Sequence, residues 1–256
     1  MGLLENQHAL ITGGGSGIGL ACARAFLADG ASVTLVGRSA ERLQSAAAEL
    51  SGDVHIRAAD VADESSLAEA ITQAHQDKPL TIAVANAGTG GGGHLLGITA
   101  EDWQRVMNTN LNGTFYTFKH AGLAIAESGG AMCAVSSIAG LRTHKFMSSY
   151  CTSKAGIDML VRNAADELGG SNIRVNSVCP GLVETELSAG LHENDPMRED
   201  YLSCMPVARV GQPDDIAQAV RFLCGPEASW ITGINLPVDG GHHLRRGPNL
   251  EVMQGA

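Results

Sequence analysis

The sequence predicts an α/β fold: a doubly wound, mostly parallel sheet of about seven strands with helices on both faces. Three observations carry that prediction. Short apolar runs alternate with longer amphipathic stretches along the chain, the pattern of parallel strands joined by crossover helices. The 256 residues, 44% apolar and 17% charged, suffice for one large domain, residues 1–256, with a sizeable core. The 32 glycines point to many tight turns and close backbone approaches.

Taken in order, His8–Thr12 reads as a buried strand and residues 17–29 as a helix stopped by Gly30. Residues 32–36, rich in β-branched side chains, make a second strand, 40–50 a helix, and Val54–Ala58 a third strand. Residues 63–76 are helical up to Pro79, and 80–85 form the fourth strand. A glycine-rich loop, 88–93, leads to a long helix from Thr99 towards Ser128, with Thr99 a plausible cap. Residues 131–136 are strand, 149–168 a helix stopped by Gly169-Gly170, and 173–178 strand again. A polar stretch over 184–204 reads as a mobile lid. Pro213–Cys224 is helical, 234–238 is the last strand, and the residues after Gly241 are expected to fray.

The formal net charge of -10 argues against a nucleic-acid partner and against an anionic membrane surface. No apolar stretch is long enough to span a bilayer. The N-terminus lacks a basic region and a long apolar run, so no signal peptide is expected, and Asn6 does not match a myristoylation pattern. The 6 cysteines show no C-x-x-C pair, which suits free thiols in a cytoplasmic setting.

Two constellations carry chemistry. Thr12-Gly-Gly-Gly-Ser-Gly-Ile-Gly19 joins the first strand to the first helix. Its glycines let the backbone approach a pyrophosphate, and a helix N-terminus supplies donors and a favourable dipole. The spacing is Gly13-x-x-x-Gly17-x-Gly19 rather than G-x-G-x-x-G, and a plain strand-to-helix turn is the alternative. Tyr150 and Lys154 stand four residues apart in a predicted helix, on one face. A tyrosine hydroxyl titrates near 10, and a neighbouring ammonium favours the tyrosinate that general base work needs. The alternative is a surface Tyr beside a Lys paired with Asp158. A Ser-His-Asp hydrolase lacks its G-x-S-x-G elbow. The pair His242-His243 has no further ligands at usable spacing, so no metal site is expected, and His144, His192, His242 and His243 read as polar loop residues.

In this order and spacing, Thr12-Gly-x-x-x-Gly-Ile-Gly19, Asp60-Val61, Asn86-Ala-Gly88, Asn110, Ser137, Tyr150-x-x-x-Lys154, Pro180-Gly181 and Val238-Asp-Gly-Gly241 resemble the short-chain dehydrogenase/reductase family. The resemblance covers nearly the whole chain and implies a single Rossmann-like domain. It implies that Ser137 polarises the substrate oxygen and Tyr150 moves the proton. Lys154 would hold the nicotinamide ribose and lower the Tyr150 pKa, and Asn110, in the long helix, would position a relay water. It also implies cofactor contacts from Gly13, Ser16, Gly17, Ile18, Gly19, Asp60, Val61, Asn86, Ala87, Gly88, Tyr150, Lys154, Pro180, Gly181, Val183 and Thr185. Asp60 would bond the adenine, although a cap beside the helix at Asp63 is an alternative.

At the end of the second strand, where NAD-selective sites carry an acid, this chain has Gly37 and Arg38. Arg38 can pair with a 2′-phosphate, so NADP(H) is favoured and NAD(H) remains the alternative. Ser16 stands where NADP-selective relatives often carry a second base. The resemblance implies hydride transfer between NADP(H) or NAD(H) and an alcohol/carbonyl substrate, in a homotetramer or homodimer. The alternative is a catalytically silent cofactor-binding sensor or partner-binding module. Residues 88–96, 138–146 and 184–201 would line the substrate pocket, where Arg142, His144 and Lys145 read as solvated loop charges.

Overall fold

The structure, a computed structural model, describes residues 2–245. Seven strands form one parallel sheet: β1 (His8–Thr12), β2 (Ser32–Gly37), β3 (Val54–Ala58), β4 (Ile82–Ala85), β5 (Gly130–Val135), β6 (Ile173–Pro180) and β7 (Asn235–Val238). Their order is β3-β2-β1-β4-β5-β6-β7. Every residue of β1 and β4 is buried, whereas β3, at the edge, is mostly half-buried. A strand with helices on both faces has no solvent side, which explains why the central runs lack polar alternation.

The helices are α1 (Gly17–Ala28), α2 (Ala40–Ala48), α3 (Glu64–Asp77), α4 (Ala100–Met107), α5 (Gly113–Ile125), α6 (Ile138–Leu141), α7 (Ser148–Leu168), α8 (Ala189–His192), α9 (Asp195–Cys204) and α10 (Pro213–Cys224). Side-chain oxygens of Ser39, Asp63, Thr99 and Asn194 accept from the first-turn amides of α2, α3, α4 and α9. Such caps satisfy donors that a helix start leaves orphaned. One apolar layer packs α1 and α10 against the sheet through Phe26, Val33, Ile82, Val220 and Leu223. The other packs α3, α5 and α7 through Leu67, Ile71, Phe118, Ile125, Ile157 and Val161. Both faces of the sheet are therefore dry, and its strand ends project polar loops at one edge.

Three expectations need correction. The long helix from Thr99 to Ser128 is two helices joined by a π turn, Asn108–Asn112. The wide turn carries Asn110, whose side chain is bonded to the backbone of the neighbouring loop rather than to its own helix. The polar stretch 184–204 is mostly helical, and Met197 and Tyr201 of α9 are buried in a small apolar cluster with Leu182 and Met205. Residues 138–141 form α6 rather than loop. After Gly241, His242–Leu244 make a 3-10 turn, and the rest of the stretch expected to fray, 246–256, lies outside the described residues.

Candidate active site

The strand order reverses between β1 and β4, so the chain leaves these neighbours towards opposite sides and opens a crevice beyond their carboxyl ends. A cleft of about 570 Å³ lies there. Thr12 and Asn86 tie its floor together. Thr12 Oγ1 accepts from the amides of Asn86 at 3.0 Å and Ala87 at 3.1 Å, and Asn86 Nδ2 donates to the carbonyls of Thr12 and Gly13. Gly13 turns the chain with φ +65°. At Gly19 a Cβ would stand 2.3 Å from the Gly13 carbonyl oxygen, so only glycine lets α1 close on the turn. α1 starts without a side-chain cap on its amides and without an acid in its first turn. Its N-terminus is thus open to an anion. We expect Gly19→Ala to push α1 off the turn, lowering Tm by roughly 2–10 °C, from about 1–3 kcal/mol of overpacking, and weakening dinucleotide binding. Thermal melts and a cofactor titration check it, and wild-type values for both would refute it.

At the other end, Ser137 caps α6, its Oγ accepting from the Ala139 amide at 3.1 Å. The same side chain is hydrogen-bonded to the Tyr150 hydroxyl. Lys154, one turn along α7, is buried and donates to the Val135 carbonyl at 2.8 Å. Its Nζ stands 5.6 Å from the centre of the Tyr150 ring. Burial brings the Lys154 ammonium down to about 8, with Asp158 acting in the opposite direction. Asp158 is itself buried, and burial pushes its carboxyl up. Its Oδ1 takes contacts from Asn235 and Ser177, while Oδ2 has no hydrogen-bond partner. Enclosure also pushes the Tyr150 hydroxyl above the ordinary phenol range, with the Ser137 hydrogen bond working against that rise. Tyr150 is therefore protonated at neutral pH here, ready to donate.

Most of the residues singled out from sequence line this cleft: Gly13, Ser16, Gly17, Ile18, Arg38, Asn86, Ala87, Gly88, Ser137, Tyr150, Lys154, Pro180, Gly181, Val183 and Thr185. Four do not. Gly19 packs behind the turn, and Val61 is buried against Gly113. The Asp60 carboxylate accepts from the Ala62 amide at 3.0 Å, closing its own turn. Asn110 is fully buried: Oδ1 accepts from the Thr89 amide at 2.8 Å, and Nδ2 donates to the Thr89 carbonyl and to Ser153 Oγ, each at 3.0 Å. Its side chain fixes the 88–89 loop.

Ser136 is buried and donates to the Lys154 carbonyl at 3.2 Å. The loop charges also need correction. His144 is 8% exposed and lines the cleft, and Arg142 donates to the His242 carbonyl at 2.6 Å. His242 is buried with its ring 5.6 Å from that of Tyr201, and His243 bonds Asp239. Leu187, Leu191 and Tyr201 line the cleft as expected of residues 184–201, whereas sequence reasoning missed Arg42 and Met147 and treated His144 as solvated. A single residue in the first turn of a helix, or one just past a predicted loop, gives no motif to find. No group of three or more metal-ligating side chains occurs among the described residues. No described helix is long and apolar enough to cross a membrane.

A doubly wound sheet with a glycine loop at its switch point and a Ser-Tyr-Lys cluster opposite defines a dinucleotide-dependent oxidoreductase class. The family model described as enoyl-(acyl carrier protein) reductase matches residues 13–243. Galactitol 2-dehydrogenase (L-tagatose-forming) of Cereibacter sphaeroides is 38% identical over 243 residues, 93% of this chain and 96% of that protein. The 3-oxoacyl-(acyl-carrier-protein) reductase FabG of Thermotoga maritima is 36% identical, covering 93% and 98%. A short-chain type dehydrogenase/reductase from Mycobacterium ulcerans superposes with a TM-score of 0.94 at 37% identity, over 98% of this chain and 94% of that one. The chain belongs to the short-chain dehydrogenase/reductase family. It is an oxidoreductase of alcohol and carbonyl groups that uses a nicotinamide cofactor.

The residues present fit that cofactor. The α1 amides and bare glycine loop suit a pyrophosphate. At Gly88 the missing side chain leaves Lys154 Nζ open, 3.8 Å from where a Cβ would stand.

Proposed function

We propose that the chain is an NADP(H)-preferring reductase and dehydrogenase of small alcohols and ketones, with Tyr150 as its general acid/base. One observation carries the reading: Ser137, Tyr150 and Lys154 converge at one end of a cleft whose other end holds the glycine loop and Arg38. When bound, the nicotinamide supplies or accepts the hydride. Ser137 donates a hydrogen bond to the substrate oxygen. Tyr150 gives its proton to that oxygen in reduction and takes it back in oxidation. Lys154 holds the ribose hydroxyls, and its charge favours the tyrosinate. Asn110 acts as a positioning residue, holding Thr89 and Ser153 beside Lys154.

The glycine loop, the 86–88 segment, and Pro180, Gly181, Val183 and Thr185 would hold the rest of the cofactor. Residues 184–204 act as a folded lid. Phe115, Leu123 and Met159 leave apolar surface exposed on α5 and α7, which supports a homodimer or homotetramer. Acidity disfavours a nucleic-acid partner. The six cysteines, all free, suit a cytoplasmic setting.

The test is a screen of polyols, small diols and 3-oxoacyl thioesters, read at the nicotinamide absorbance band. Cofactor binding without turnover of any compound would favour the silent sensor. For the cofactor preference, Arg38 is exposed at the cleft mouth, which discounts its pairing energy. We expect Arg38→Ala to cut the ratio of kcat/KM for NADPH over NADH by about tenfold. An unchanged ratio would sink the assignment.

A further inference from the structure

The lid touches the cofactor end of the cleft at three points. Thr185 Cγ2 lies 3.4 Å from where a Cβ on Gly17 would stand, and Leu187 Cδ1 lies 3.6 Å from the same position on Gly90. Between them, the Glu186 carboxylate is paired with the Arg42 guanidinium. Arg42 belongs to the first turn of α2, and its stem runs over the glycine loop, with Cγ 3.4 Å from a Cβ on Gly15.

Arg42 and Arg38 both line the cleft, and one turn of chain separates them. Their neighbours are the N-terminus of α2, capped by Ser39, and Glu41, which is hydrogen-bonded to Ser39. Glu186 is the one carboxylate among the residues that line the cleft, so two guanidinium groups face one acid there. Among the groups that line the cleft, that arrangement leaves one guanidinium charge unbalanced at an open mouth, while Glu41 lies outside the lining and is held by Ser39. The Arg42–Glu186 pair is 50% and 74% exposed, so water screens it and an incoming dianion can outcompete the acid.

We propose that Arg42 is a second specificity residue for the 2′-phosphate of NADP(H), held in reserve by Glu186, which the phosphate displaces. The proposal rests on the NADP(H) reading above. It also answers an apparent gap: the glycine loop carries Ser16 where a second base was expected, and Arg42 reaches across that loop at Gly15. A phosphate offers Arg42 a divalent partner with geometry suited to a guanidinium. Glu186 would set the threshold, since its pair must break before the phosphate gains Arg42.

Calorimetric titration of the full chain with adenosine 2′,5′-bisphosphate and with 5′-AMP tests this without turnover. Arg42→Ala should weaken the bisphosphate by about tenfold, and 5′-AMP by less than about twofold. Glu186→Gln should tighten the bisphosphate by about two- to fivefold, the reach of a surface pair. That gain should vanish in the double variant Arg42→Ala/Glu186→Gln. Equal weakening of both ligands by Arg42→Ala would make Arg42 a structural tie to the lid and overturn the proposal. A Glu186→Gln variant that tightens neither ligand would overturn it too. If Arg38→Ala discriminates the ligands and Arg42→Ala does not, only this proposal falls. A wild-type chain that binds both equally defeats the NADP(H) reading and this proposal with it.

Discussion

Tyr150→Phe should all but abolish turnover while cofactor binding survives. The substitution removes one hydroxyl and keeps the ring, so the half-buried packing of α7 and the contact with Lys154 are retained. What disappears is the proton donor to the substrate oxygen and the partner of Ser137. General acid/base catalysis contributes about 10²–10⁴ in rate, so kcat should fall by at least about 10². The Kd for NADPH, read by fluorescence titration, should stay within about twofold, because the phenol oxygen is a minor part of the contact. A mutant with near-wild-type kcat contradicts the assignment.

Lys154→Met should fail differently. Met matches the length of the side chain and fits an apolar surround, but it removes the ammonium and leaves the Val135 carbonyl without the donor that now stands 2.8 Å away. Two losses follow. The proton equilibrium of Tyr150 loses its nearby positive charge, and the ribose loses its anchor. We expect kcat to fall by about 10² or more and the cofactor Kd to weaken about tenfold. Losing both together separates Lys154 from Tyr150, whose replacement lowers kcat alone. An unchanged Kd would remove Lys154 from the cofactor site. Unlike the tyrosine change, this one also touches stability: Asp158, already buried with Oδ2 unpartnered, would lose the cation that supports its charge.

The sheet was legible because each strand is a short apolar run between turn signals, and because period and length change together at every crossover. The Ser137, Tyr150 and Lys154 cluster was legible because two of its members are local in sequence and the third sits just past a strand end. Asn110 was read as a helical residue, since nothing in its neighbours announces a π turn; the turn depends on bonds to Thr89, 21 residues away. Residues 184–204 looked mobile because polarity hides the spaced Met197 and Tyr201 that fold α9 onto a small cluster with Leu182 and Met205. Asp60 and Val61 follow a pattern, yet their side chains are spent on a local turn and on packing against Gly113. The Arg42–Glu186 pair joins residues 144 apart and has no sequence signal at all.

In the proposed mechanism Tyr150 moves the proton beside a charged Lys154. The pH dependence of kcat/KM for carbonyl reduction tests it most directly. Reduction needs Tyr150 protonated and Lys154 charged. Tyr150 is held above the phenol range and Lys154 is drawn down to about 8, so Lys154 loses its proton first as pH rises. The profile should be flat through neutral pH and fall above a limb near 8. In Lys154→Arg, which keeps its charge, that limb should move to higher pH even if the plateau is lower. A reduction rate that climbs with pH, or a limb that Lys154→Arg leaves in place, would contradict the account.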